Sequence, residues 1–135
     1  MICLSNSNEQ VIPAGQSVTF DVIILHTGRA ECYRPNSGVV NLLAKNAIYE
    51  VEFNGNVSSE TAGDQVQLVI SYNGSPLLET TMISTITAAG DINNVSTSTL
   101  VKTCCCSAGS ITVTNTGTTS VTLESNPCLK IKRDA

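Results

Sequence analysis

The amino-acid sequence predicts an all-β sandwich, and three observations predict it. Thr, Val and Ile fill 40 of 135 positions and Ser, Thr and Asn fill 43, a palette of strands joined by polar turns. Only 13% of residues are charged against 41% hydrophobic, which excludes a disordered acidic segment and a coiled coil. Apolar residues recur at period two through one short segment after another, and nowhere at helical period. A chain of 135 residues supplies one compact core, whereas two would be starved.

The first strand is read at residues 17–25, where Val18, Phe20, Val22 and Ile24 alternate with Ser17, Thr19, Asp21 and Ile23 after a turn at Pro13-Ala14-Gly15. Residues 1–16 are read as a polar N-terminal arm and residues 17–135 as the folded domain. Arg29 to Ser37 is an irregular connection, followed by a short strand from Val39 to Leu43 and a turn at Lys45-Asn46. Ala47 to Val57 is the clearest strand. Ala47, Tyr49, Val51, Phe53, Gly55 and Val57 share its core face, while Ile48, Glu50, Glu52, Asn54 and Asn56 share the other.

Ala62-Gly63-Asp64 turns the chain into a strand carrying Val66, Leu68, Ile70 and Tyr72, and Asn73-Gly74 then gives the strongest two-residue hairpin signal. Leu77 to Thr87 is expected to return antiparallel. After a turn at residues 88–91, Ile92 to Thr103 forms a Ser/Thr-rich strand, Ile111 and Val113 mark the next, and Val121, Leu123, Leu129 and Ile131 fall on one parity of the last. Pro127 marks an edge, bulge or bend in it. Eight or nine antiparallel strands without helical segments close naturally as a jelly-roll sandwich.

Particular residues then carry a family resemblance. The stretch from Lys45 to Val57 looks like a G-x-Y-x-V-x-F-x-x-x-V central strand, with Asn46 where a glycine commonly sits. Gln67 to Gly74 looks like the following strand and hairpin, and Ser110 to Gly117 like an L-x-V-x-N-x-G strand, preceded by a cysteine run of clostridial type. With these segments the sequence resembles the tumour-necrosis-factor and complement-type globular heads, trimeric jelly rolls also found in bacterial collagen-like surface proteins and phage virions. The resemblance spans roughly residues 11–132 and implies a TNF-like fold and a homotrimer. It implies no single function, because such heads serve as cytokines, adhesins, spore-surface proteins and virion components.

Composition narrows the function classes. With seven Lys and Arg, a net charge of −4 and no basic cluster, the chain cannot neutralise a run of phosphates, so nucleic acid is not an expected partner. The longest apolar run, Val22 to Leu25, is far short of the roughly 20 residues of a membrane span. Residues 1–10 lack the basic and apolar parts of a Sec-type signal, so the chain is expected to stay in the cell that makes it until lysis or particle assembly.

His26 is the only histidine, and no Ser-His-Asp or Cys-His set assembles around it, so no enzyme and no catalytic residue is expected. Glu50 and Glu52 have the spacing of a glycosidase pair but read as solvated strand charges. Asp64 and Asp91 read as turn residues rather than calcium ligands, and the Asn56, Asn73 and Asn94 sequons as chance matches.

Six cysteines stand at positions 3, 32, 104, 105, 106 and 128. Cys104 and Cys106 are expected on one face of a strand and Cys105 on the other. No C-x-x-C pair repeats downstream, so neither a metal site within the chain nor a cofactor is expected; a site shared at a threefold axis stays open. Small thiols packing the strand end are the expectation, with a disulfide between chains or of a Cys32–Cys128 kind as the alternative.

Partner surfaces remain. Ile48 and Val69 stand opposite the core parity, as do Ile23 and Leu25, so a second body is expected over those faces. Tyr49, Phe53 and Tyr72 are expected to support the trimer interface from the core, with Ile48, Val69, Cys104 and Cys106 as contacts, and loops shielding the sheet end as the other reading. Because no collagen-like stalk or heptad segment precedes the head, it is expected to be a bacteriophage virion protein, a trimeric capsid decoration protein. It would be made in the host cytoplasm and bind the major capsid protein or another virion protein through Met1, Ile2, Cys3, Leu4, Val11 and Ile12. The alternative is a receptor-binding or adhesive tip of a phage fibre or of a bacterial or spore surface, with a host-surface ligand.

Overall fold

The alternation of residues 47–57 becomes the longest strand of the molecule. A computed structural model describing residues 1–135 contains thirteen strand segments. They are β1 (Ile2–Ser5), β2 (Gln10–Ile12), β3 (Val22–His26), β4 (Glu31–Tyr33), β5 (Val40–Leu42), β6 (Ile48–Ser58), β7 (Gln65–Tyr72), β8 (Ser75–Pro76), β9 (Met82–Thr85), β10 (Asn93–Lys102), β11 (Gly109–Thr114), β12 (Val121–Leu123) and β13 (Cys128–Arg133). The sole helical element is a 3-10 turn at Leu78–Thr80.

Several segments are halves of one path. β12 and β13 both pair with β6 on the same side, β2 and β1 continue beside them, and β8 and β9 both pair with β7. The first sheet therefore runs β10, β6, β13/β12, β1/β2, β3, and the second β4, β5, β11, β7, β8/β9, all antiparallel. Ten paths in two sheets make a jelly roll, one or two more than the sequence suggested. The excess comes from β1/β2 and β4, segments that read in the sequence as an arm and an irregular connection. Asn126 takes φ 65° ahead of Pro127, which interrupts the last path but begins no edge, since β13 is paired on both sides.

Between the sheets lies one core of 26 residues. Tyr49, Val51, Phe53 and Val57 point into it from β6, and Gly55 lies against Leu123 and Pro127. The Phe20 ring meets Phe53 and Tyr33 edge to face at 6.5 Å each, and truncating such a buried ring costs about 3–5 kcal/mol. Asn73 and Gly74, at φ 51° and 82°, form the hairpin turn the sequence announced, which requires positive φ at both positions.

Two expectations are corrected. Residues 1–16 are no free arm: β1 is an inner strand between β13 and β3, and β2 pairs with β12. Ile2, Leu4 and Ile12 are buried, because the short alternation hidden in a polar segment completes the sheet once its distant partners arrive. The strand read at residues 17–25 also splits. Val18 and Phe20 are buried, but the backbone from Thr19 to Asp21 is bonded by side chains: Gln10 brackets Thr19, Asn6 Oδ1 accepts from Asp21 N–H, and Tyr33 Oη both accepts from Phe20 N–H and donates to its carbonyl. Only Val22 to His26 joins a ladder.

Candidate functional site

The strand pairing distributes the sequence-predicted residues over very different surroundings. Tyr49 is buried; its hydroxyl donates to the Ala30 carbonyl at 2.6 Å and accepts from Ala44 N–H at 3.1 Å. Tyr72 is half-buried beside Gly109, where any Cβ would collide with its ring. Ile48 is half-buried on the outer face of β6. Val69 is 1% exposed, so its own chain covers it and no second body is needed there. Of the residues read as particle contacts, Ile2, Leu4 and Ile12 are core, Met1 and Cys3 are half-buried, and Val11 is exposed.

The apolar surface instead lies where the ladder ends. β3 pairs with β1 on one side and with nothing on the other, and Val22, Ile23, Ile24 and Leu25 are all exposed, Ile24 by 60%. An edge strand with free backbone groups and four adjacent apolar side chains is a pairing template that free-standing proteins usually blunt. At the opposite edge, β10 exposes Leu100 by 62% beside a row of Ser and Thr.

Charge divides along the long axis of the sandwich. One end gathers the turns after β3, β5 and β10 with the chain's last residues, and carries Arg29, Lys45, Lys102 and Arg133 against Glu31, Asp134 and the C-terminal carboxylate. The other end carries Glu9, Asp21, Glu60, Asp64, Asp91 and Glu124, with Arg34 alone of the opposite sign. Between them, the outer face of the first sheet holds Glu50, Glu52, Lys130 and Lys132, with Lys130 Nζ 3.0 Å from Glu52. Lys130 pulls the Glu52 carboxyl below its ordinary range, while the hydrogen bond to Glu52 raises Glu50. The pair sits on a flat sheet face. The depression beside it, about 270 Å³, is lined by Glu52, Phe53, Asn54, Ser96, Thr97 and Ser98, and the Phe53 ring is turned into the core, so no sugar-stacking platform forms there. His26 Nε2 is 2.9 Å from the Glu31 carbonyl, a structural hydrogen bond at a strand end. Nothing in this geometry assembles a catalytic set.

The cysteines fall into two groups that spacing did not reveal. Cys104, Cys105 and Cys106 leave the strand at Lys102 and are exposed in a loop, neither packed nor alternating between faces as expected. The cause is Thr103. Its buried hydroxyl accepts from Ala47 N–H at 2.9 Å and donates to the Ala44 carbonyl at 2.8 Å, tying the chain to the β5–β6 turn and ending the ladder. All three sulfurs lie within 4.8 Å of one another. Cys128 does not meet Cys32, which is exposed on β4 in the other sheet; it meets Cys3, Sγ to Sγ 3.3 Å, across β1 and β13. Only the pairing of those two strands reveals it, since Cys3 lies between core residues Ile2 and Leu4 and Cys128 just ahead of core Leu129. Burial, then the bond to Cys128, pushes the Cys3 thiol up to about 11.

Neither a protein-family model nor a curated protein matches the sequence. Solved structures match the fold. Murine APRIL superposes with a TM-score of 0.70 at 14% identity, covering 98% of this chain and 97% of that one. The globular domain of zebrafish complement 1qA gives 0.68 at 9% identity, covering 98% of each chain. Eiger TNF from S. frugiperda gives 0.70 at 12% identity, covering 99% of this chain and 91% of that one. The architecture built here, strand by strand, is the jelly roll of the tumour-necrosis-factor and complement-type heads.

Proposed function

We propose that this chain is the subunit of a homotrimeric structural protein of a bacteriophage particle, a decoration protein that caps the capsid shell. The observation that carries the oligomeric part is β3, an unpaired edge whose four apolar side chains are all exposed. A closed cyclic assembly buries the same edge in every subunit and removes the aggregation hazard. The TNF-like fold supports this reading, because such heads are trimers in the families the sequence resembles. A non-enzymatic role is supported by surface depressions that gather carboxylates and hydroxyls without a histidine or a thiol.

Cyclic symmetry aligns the three copies, so the cation-bearing end of each subunit joins into one base and the acidic end into one acidic crown. The base, with Arg29, Lys45, Lys102 and Arg133, is the shell-facing side of the proposal and replaces the buried residues Ile2, Leu4 and Ile12 as the attachment surface. Many modest contacts to several capsid subunits then add up by mass action and multivalency.

Native mass measurement tests the oligomer: wild type is expected as a trimer, and Ile24→Lys as a monomer with an unchanged far-UV spectrum. A monomeric wild type overturns it. Purified trimer added to undecorated capsids tests the role. Saturable binding weakened by Arg29→Glu with Lys45→Glu supports decoration, and no capsid binding alongside tight binding to host cells replaces it with the receptor-binding tip.

A further inference from the structure

The loop between β10 and β11 concentrates a donor set that neither the fold nor the proposed particle role uses. Cys104, Cys105 and Cys106 are consecutive, exposed and converge: Cys105 Sγ and Cys106 Sγ are 3.2 Å apart, and all three sulfurs lie within 4.8 Å. Thiolates bound to one ion at about 2.3 Å stand about 3.8 Å apart in a tetrahedral arrangement and about 4.0 Å apart in a trigonal one. The Cys105–Cys106 separation of 3.2 Å and the 4.8 Å limit on all three pairs accommodate both values. We propose that the run Cys104-Cys105-Cys106 binds a single thiophilic metal ion through three thiolates of one chain, and that monovalent copper is the preferred ion over zinc.

The loop is built for convergence rather than merely rich in sulfur. Thr103 N–H donates to the Ala47 carbonyl at 2.8 Å and Asn46 N–H to the Cys104 carbonyl at 3.0 Å, while Gly109 re-enters the ladder beneath the Tyr72 ring. Pinned at both ends, the five residues Cys104 to Ala108 lose little further freedom when an ion gathers their sulfurs.

The donor chemistry selects the ion. The cluster contains no histidine or carboxylate, so the set is wholly soft and suits thiophilic ions such as monovalent copper and zinc, between which coordination number decides. Three thiolates complete a trigonal copper site but leave zinc a fourth position open to solvent. On binding, each thiol releases its proton to solvent and the copper keeps its oxidation state, giving a site of charge −2. Lys102 precedes the run and Lys45 precedes Asn46, whose N–H bonds to Cys104, so cations flank it in the chain.

The test uses the full chain carrying Cys3→Ser and Cys128→Ser, which removes the other close thiol pair, reduced and handled without oxygen. Monovalent copper is titrated against a chromophoric chelator, and bound metal is counted by native mass spectrometry and by thiolate-to-copper charge-transfer absorption. One copper per chain is expected, with zinc bound at least tenfold less tightly. Adding Cys104→Ser, Cys105→Ser and Cys106→Ser is expected to abolish the charge-transfer band and weaken binding at least 100-fold. Undiminished binding in that variant, no binding in its parent, tighter binding of zinc, or one copper per three chains overturns the proposal. Far-UV spectra check the fold, and should the triple variant lose it, Cys105→Ser alone must still abolish the band. Counting per chain makes the outcome independent of whether the protein is a trimer.

Discussion

Cys3 and Cys128 face each other across two paired strands, whereas Cys104, Cys105 and Cys106 crowd together in an exposed loop. In the sheet, the ladder fixes the two sulfurs 3.3 Å apart, and burial with a thiol neighbour raises Cys3 to about 11. In the loop, solvent reaches every sulfur and backbone N–H groups lower Cys104. The difference teaches that the backbone around a cysteine, more than its spacing in sequence, decides its chemistry. The ladder positions two thiols for a covalent bond, and the loop positions three for an ion.

Oxidation gives the largest expected effect. When oxidised glutathione accepts the two hydrogens and becomes two thiols, Cys3 and Cys128 join and close a loop spanning 125 positions. Chain-entropy arithmetic puts the stabilisation at about 5 kcal/mol, and melting is expected to rise by roughly 15–20 °C. Cys32→Ser retains the rise and Cys3→Ser abolishes it. An oxidised Cys3–Cys128 protein that melts no higher than the reduced one breaks the contrast, because the ladder would then not hold the sulfurs in bonding geometry.

That pair also marks the limit of what the sequence makes legible. β6, the turn at Asn73-Gly74 and the parity of β12 and β13 can be read because their signals are local: alternation, a positive-φ dipeptide, a repeated face. β1 is invisible locally, since four residues have no stable pairing until β13 and β3 flank them, and Cys3 is hidden with it. The thiol loop hides for the opposite reason. Alternation extends a strand through Cys106, but the Thr103 hydroxyl satisfies the β5–β6 turn and stops the ladder first. The exposed apolar run Val22 to Leu25 stands plainly in the sequence; that it lies at an unpaired edge does not, because strand order is decided by contacts between distant segments.

Alkylation ranks next and measures the contrast directly. The thiolate is the nucleophile, so a thiol near 11 presents only about one part in a thousand at pH 8, at least 100-fold less than one held below the ordinary range. Because the more acidic thiolate is also the weaker nucleophile, peptide mapping after a timed pulse of iodoacetamide is expected to find Cys104 labelled at least about tenfold faster than Cys3. Because Cys3 is raised, its rate is expected to climb about tenfold per pH unit until near 11, while the Cys104 rate levels off below the ordinary thiol range. Equal rates at the two sites would show that the β1–β13 seam opens faster than the reagent reacts.

The smallest effect is expected at Lys130, which lies beside the thiol pair and bridges to Glu52 at 3.0 Å. Both side chains are about two-fifths exposed in the single chain, so solvent screens the pair, and Lys130→Met is expected to shift melting by less than about 2 °C at neutral pH. The sign of its pH dependence follows from Glu52. Lys130 depresses that carboxyl, so the contribution is present above the unfolded carboxylate range and is lost as pH falls through the folded value. Wild type and Lys130→Met should therefore converge in melting as pH falls below the ordinary carboxylate range. Losing the cation also removes the one influence that lowers Cys3, so its alkylation should slow by less than about threefold. A shift well above 5 °C at neutral pH would mean that solvent does not screen the bridge in the assembled protein. Subunits would then pack on the outer face of the first sheet, over Glu50, Glu52, Lys130 and Lys132, rather than along the apolar edge of β3.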